Sequence, residues 1–102
     1  MEIPKNLTLD EKIELYKKLS PDDVIQGEYI SDYEFGFFTF NLVDDEMCIF
    51  NVLGDGKRLN QEAEKIAKEN NVKKIYLIAK KAEPIERKYG FKIDRYIMVK
   101  EV

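Results

Sequence analysis

Between residues 47 and 80 the spacing of apolar side chains changes from a period of two to a period of 3.6 and back, which restricts the chain to folds built around a strand-helix-strand unit. Residues 47–53 read as a strand, Gly54-Asp55-Gly56 as a tight turn, and residues 57–70 as an amphipathic helix with Leu59, Ala63, Ile66 and Ala67 on its apolar stripe. Asn70-Asn71 closes that helix, because asparagine tolerates the left-handed conformation of a helix end. Residues 74–80 form the next strand, which is expected to run parallel to 47–53.

The flanking elements follow from caps and turns. Thr8 and Glu11 have capping-box spacing, and Leu9, Ile13, Tyr16 and Leu19 then recur at helical intervals. That helix stops near Ser20-Pro21-Asp22-Asp23. Residues 24–30 read as a strand with a bulge at Gly27. Residues 33–43 are the most apolar strand, with Tyr33, Phe35, Phe37 and Thr39 on one face and Gly36, Phe38, Phe40 and Leu42 on the other, so both faces need cover. Asp44-Asp45-Glu46 is a turn, making 47–53 the antiparallel partner of 33–43. Residues 84–89 are a short helix started by Pro84 and stopped by Gly90, and 91–99 the last strand. The expected fold class is α/β (α+β), a mixed sheet of order α-β-β-β-α-β-α-β, with an antiparallel meander followed by a β-α-β unit.

At 102 residues and 44% hydrophobic content, the chain is expected to form one domain over 1–102. Its single cysteine, Cys48, rules out a disulfide framework and suggests a reducing compartment. No apolar run approaches the roughly 18 residues of a membrane span, and the N-terminus lacks a signal-peptide core, so a cytoplasmic location is expected. Asn6-Leu7-Thr8 matches a glycosylation acceptor that such a location leaves unused.

Two segments carry a family resemblance. Asn51-Val52-Leu53-Gly54-Asp55-Gly56 resembles the Gln/Arg-x-x-Gly-x-Gly turn, and Ala82-Glu83-Pro84-Ile85-Glu86-Arg87-Lys88-Tyr89-Gly90-Phe91 resembles the Ala-x-x-Leu/Phe-Tyr-x-x-x-Gly-Phe segment, of the GNAT acyltransferases. The resemblance covers residues 22–99 by element order and is residue-specific over 51–91. Short members of that superfamily, small phage-encoded ones among them, lack the same N-terminal strand and helix. It implies a GNAT-like sheet that splays where a cofactor enters, acetyl-CoA as cofactor, and a small-molecule or peptide amine as acceptor. It further implies a cofactor site at Asn51, Val52, Leu53, Gly54, Asp55, Gly56, Lys57 and Arg58.

The chemistry of that turn is plain. A helix N-terminus offers free N–H groups and partial positive charge to a pyrophosphate, and glycines let the anion approach the backbone. Lys57 and Arg58 add two cations, whereas Asp55 adds a carboxylate and Asn51 stands where the family has glutamine or arginine. The alternative is a tight turn with Asp55 as helix cap. Other glycine motifs fail on spacing: Leu59 stands where a dinucleotide fingerprint needs glycine or alanine, and no serine or threonine follows Gly56-Lys57.

Acyl transfer needs an acid for the departing thiolate and a base for the ammonium. Glu86 occupies the family's tyrosine position, where it donates a proton only if burial raises its pKa; otherwise it is a first-turn glutamate beside Pro84. Tyr89, three residues on, is the substitute donor or a core residue. Glu34, Asp44, Asp45 and Glu46 read as turn and surface carboxylates, histidine is absent, Cys48 lacks an activating base, and no metal site is expected.

Charge divides the chain. Residues 1–56 carry 4 basic and 13 acidic side chains, and 57–102 carry 13 basic and 7 acidic. The split suits an anionic cofactor and a cationic acceptor, or simply two solvated surfaces. A pI of about 5.1 argues against nucleic acid. The expected function is N-acyl transfer from acyl-CoA to an amine; the alternative is a catalytically silent binding or assembly module of the same fold.

Overall fold

The computed structural model describes residues 2–78, 92–94 and 97–102. Their elements are α1 (Leu9–Leu19), β1 (Tyr29–Tyr33), β2 (Gly36–Val43), β3 (Glu46–Gly54), α2 (Gly56–Glu69), β4 (Lys74–Ile78), β5 (Lys92–Asp94) and β6 (Ile97–Glu101). The strands form one mixed sheet in the order β1-β2-β3-β4-β6-β5. β1, β2 and β3 are an antiparallel meander, β3 and β4 run parallel, and β6 is antiparallel to both β4 and β5.

Both helices begin as their sequences dictate. Thr8 and Glu11 exchange the two hydrogen bonds of a capping box, with Thr8 N–H donating to Glu11 Oε1 at 3.0 Å and Glu11 N–H to Thr8 Oγ1 at 3.2 Å. Asp55 caps α2 by accepting the Arg58 N–H at 3.3 Å. Asn71, at φ 56°, supplies the left-handed residue after α2.

The helices cover opposite faces of the meander. Leu59, Ala63 and Ala67 of α2 pack with Phe38, Phe40, Met47, Ile49, Val72, Ile75 and Leu77, with Ile66 beside them. Tyr16 of α1 packs with Phe37 and Leu53, flanked by Leu9 and Ile13. β2 is therefore buried on both faces, as its double-sided apolar pattern requires.

A bulge makes this two-sided burial work. Thr39 pairs with Asn51 but Phe40 pairs with Ile49, so Phe50 is the extra residue of β3. Strict alternation would put Met47, Ile49, Asn51 and Leu53 on one face. The bulge shifts the alternation, sending Met47 and Ile49 toward α2 and Asn51 and Leu53 toward α1.

Three sequence-based boundaries are corrected. The strand expected at 24–30 is β1, at Tyr29–Tyr33; residues 24–28 are held instead by side chains, through Gln26 N–H to Asn51 Oδ1 at 2.9 Å and Glu28 N–H to Asn41 Oδ1 at 2.5 Å. The strand expected at 33–43 is broken by a Glu34-Phe35 turn, so Tyr33 pairs with Gly36 as the close of a hairpin. Its aromatic run hid the reversal, because Gly36 is the only turn residue in it. The last strand, expected at 91–99, is the antiparallel pair β5 and β6. Asp94-Arg95-Tyr96 contains no glycine, proline or asparagine to mark a reversal. The helix expected at 84–89 lies outside the described residues.

Candidate functional site

β3 extends beyond the described part of its parallel partner. Pairing with β4 runs from Glu46↔Lys74 to Ile49↔Leu77, and β3 then continues through Leu53 to Gly54 before the chain turns into α2. Among the described residues, 50–53 therefore keep no β4 partner on that side. The bulged Phe50 directly follows the last described β3–β4 pair, Ile49↔Leu77.

The turn at the end of β3 is set by glycine. Gly54 has φ 117° and is the register partner of Gly36 at φ 147°. A Cβ on either would be driven into the opposing backbone, at the Leu53 carbonyl for Gly36 and the Phe35 carbonyl for Gly54. The Asp55 N–H donates to Phe35 O at 3.0 Å, locking the two turns together. Gly54 thus has a packing reason to be glycine that is independent of any ligand.

Four N–H groups at a helix start lack an intrahelical acceptor. Asp55 takes the Arg58 N–H, while those of Gly56 and Lys57 sit in the first turn without a helical acceptor. Lys57 is exposed at this end. Arg58 is exposed too, but its guanidinium carbon lies 4.1 Å from the Phe35 ring centroid, a cation–π contact. A cavity of about 300 Å3, lined by Ile3, Lys5, Glu34, Phe35, Asp55 and Arg58 among others, adjoins this turn.

Asn51 belongs to the interior. It is 4% exposed. Its Oδ1 accepts from Gln26 N–H at 2.9 Å and Thr39 Oγ1 at 2.8 Å; its Nδ2 donates to the Tyr16 hydroxyl at 3.0 Å and to Val24 O at 3.1 Å. The Tyr16 hydroxyl in turn donates to Asp23 Oδ2 at 2.9 Å. Every hydrogen-bonding function of the Asn51 amide is used in tying α1, the 23–26 segment, β2 and β3 together. This removes its side chain from the expected cofactor set. Val52, by contrast, is exposed, Leu53 is buried against Phe37, and Gly54, Asp55, Gly56, Lys57 and Arg58 follow one another around the turn.

Among the expected proton carriers, Glu86 and Tyr89 lie outside the described residues. Glu34, Asp44, Asp45 and Glu46 are exposed, with Asp44 and Asp45 in the β2–β3 turn. Burial, reinforced by the Glu46 charge, pushes the Cys48 thiol up, which disfavours the nucleophilic thiolate. Among the described residues, no group of histidine, cysteine or carboxylate side chains is placed to hold a metal, and no helix is long and apolar enough to cross a membrane.

Thr39, Tyr16, the Phe50 bulge and the Arg58–Phe35 contact escaped sequence reasoning. Each joins residues far apart in the chain, and only Gly36, opposite Gly54, left a local signal.

No protein-family model and no curated protein matches the sequence. Solved structures do match. The PaiA N-acetyltransferase of Thermoplasma acidophilum, solved in complex with coenzyme A, is 20% identical with a TM-score of 0.55, the match spanning 67% of this chain and 54% of that one. An acetyltransferase from Bacillus cereus ATCC 14579 is 19% identical with a TM-score of 0.60, over 100% of this chain and 99% of that one. The chain thus spans about half the length of the first relative and nearly all of the second. With the meander, the parallel β3–β4 pair and the strand-turn-helix already in place, these matches show that the chain shares the mixed α/β fold of those two acetyltransferases.

Proposed function

We propose that this chain binds acyl-CoA and transfers its acyl group to an amine. The observation that carries the reading is the course of β3, which pairs in parallel with β4 from Glu46↔Lys74 to Ile49↔Leu77 and continues straight into the first turn of α2. A strand edge offers main-chain groups to an extended ligand bearing amides. The first turn of α2 offers the N–H groups of Gly56 and Lys57 and the Lys57 charge to a pyrophosphate. The residues that would hold the cofactor are Val52, Leu53, Gly54, Gly56, Lys57 and Arg58. Its thioester would supply the activated acyl group.

In the transfer the ammonium first loses one proton to a base, the amine nitrogen bonds to the thioester carbon and loses a second proton as the amide forms, the carbon–sulfur bond breaks, and the sulfur gains one proton. Glu86 and Tyr89 are the proposed proton donors to sulfur; the amine's base is left to solvent. The acidic 1–56 half would draw a cationic acceptor, whether small molecule or peptide. A reducing cytoplasm, with its acyl-CoA pool, is the proposed setting.

One observation favours the second reading, a silent binding or assembly module. The Asp55 carboxylate stands at the α2 N-terminus and already holds the Arg58 N–H that an anion would use. Calorimetry with acetyl-CoA and CoA, followed by a thiol-release assay over polyamine, peptide and aminoglycoside acceptors, separates the two. CoA binding with thiol release supports transfer. No binding at millimolar ligand, by the wild type or by Asp55→Asn, leaves the silent module.

A further inference from the structure

β1 lies at one end of the sheet, and among the described residues no strand pairs with its outer side. Edge strands are ordinarily guarded by lysine, proline or a bulge. Tyr29-Ile30-Ser31-Asp32-Tyr33 contains no lysine or proline and pairs with β2 without a register shift. Tyr29 is 47% exposed and Ile30 42%.

The segment that carries this edge is acidic, with Lys12 at Asp32 and with Lys5 and Arg58 lining a cavity together with Glu34. Residues 19–56 hold nine carboxylates and no lysine or arginine. Asp32 is neutralised by Lys12, whose ammonium lies 2.7 Å from Asp32 Oδ1 and also donates to Tyr33 O. Glu28 and Glu34 flank the strand and are both exposed. A second copy would bring two such acidic surfaces together, so the complementary occupant is a basic one.

We propose that the β1 edge takes an extended basic peptide as an added strand. Main-chain hydrogen bonds supply the affinity of such a complex, and alternate side chains its specificity. Tyr29 faces the side of Phe40, on which it stacks at 5.3 Å, while Ile30 faces the opposite side of the sheet. On the Ile30 side, lysine or arginine side chains of the peptide meet Glu28 and Glu34, and the apolar side chains between them meet the Tyr29 ring on the other side. The preferred peptide therefore alternates basic and apolar residues. This site is distinct from the β3–α2 turn and does not require acyl transfer.

The test is fluorescence anisotropy of a labelled alternating lysine–valine hexapeptide on the whole protein, without acyl-CoA, so that its outcome is independent of the transferase reading. Binding is expected, and it should weaken about tenfold between low and physiological salt. An alternating glutamate–valine peptide should not bind. A lysine–valine peptide methylated on alternate backbone nitrogens keeps its charge but loses strand pairing, and should bind at least about tenfold more weakly. Ile30→Lys, at an exposed position, should keep the fold by circular dichroism and weaken binding as much. Equal affinity for the methylated peptide, or for Ile30→Lys, would overturn the proposal. So would failure of the lysine–valine peptide to bind, or a dimer in sedimentation that Ile30→Lys dissolves, which would give the edge to a second copy.

Discussion

Gly36 and Gly54 are directly opposed across β2 and β3, and a Cβ on either would run into the carbonyl of the residue before the other, Leu53 for Gly36 and Phe35 for Gly54. The close approach brings the Glu34-Phe35 turn against the β3–α2 turn, where Asp55 N–H reaches Phe35 O. Gly54→Ala combines a backbone clash with a positive φ of 117°, and should cost at least about 2 kcal/mol in urea unfolding. Gly36→Ala should cost a similar amount. Loss of stability by Gly54→Ala alone would show that only one of the two turns is constrained.

The Asn51 side chain has four hydrogen-bond partners on three other segments of chain. Asn51→Asp keeps the shape but removes both Nδ2 donors and buries a charge, whereas Asn51→Leu leaves Thr39, Tyr16 and two backbone groups to find other partners. Each should destabilise by about 3 kcal/mol, with CoA affinity of the remaining folded protein nearly unchanged. A fall in affinity without a fall in stability would return Asn51 to the cofactor site. Denaturant titration alongside calorimetry reads both.

Elements whose signal is local were legible in the sequence. The capping box of α1, the apolar stripe of α2, the Asp55 cap and the Asn71 helix stop all follow from residues a few positions apart, and the parallel β3–β4 pair follows from the strand-helix-strand order they mark out. Tyr29 and Ile30 hid their place on an edge because tyrosine and isoleucine suit any strand. The Phe50 bulge left no glycine behind, and shows only as a change in which odd-numbered residues of β3 face α1. Asn51 was assigned by its distance from Gly54, while its fate was decided by Tyr16, 35 residues away.

Acid should weaken the α2–β6 contact. Glu64 accepts from Lys100 Nζ at 2.6 Å, and that hydrogen bond holds the carboxyl below its ordinary 4.5. A depressed folded pKa means that the contribution is complete above the unfolded value and is lost as pH falls through the folded one. Stability should therefore decline from about pH 5 downward, and Glu64→Gln should flatten that part of the profile. Chemical denaturation from pH 7 to pH 3 measures it. Because Glu11, lowered by its capping-box bonds, titrates in the same direction, the comparison is between Glu64→Gln and wild type at each pH.

If the chain is a transferase, Glu86→Gln should lower turnover while leaving CoA affinity nearly unchanged, the pattern of a group that acts only in the transition state. Glu86→Tyr, which restores the residue of the resembled motif, should retain or raise activity. A loss of well under tenfold in Glu86→Gln moves the proton donor to Tyr89 or solvent, and Tyr89→Phe then distinguishes these.

Asp55 does two things that a single substitution can separate. As N-cap it accepts the Arg58 N–H, and as a carboxylate it places negative charge at the α2 N-terminus beside Lys57. Asparagine caps helices about as well as aspartate, so Asp55→Asn should leave unfolding free energy within about 0.5 kcal/mol of wild type. With the like charge gone, CoA affinity should rise several-fold at low salt, about 1 kcal/mol, and the gain should shrink as salt is raised. Asp55→Ala removes charge and cap together, and should show the same gain in affinity with about 1 kcal/mol less stability. Unchanged affinity in both variants would move the pyrophosphate away from the α2 N-terminus, and with it the proposed cofactor site.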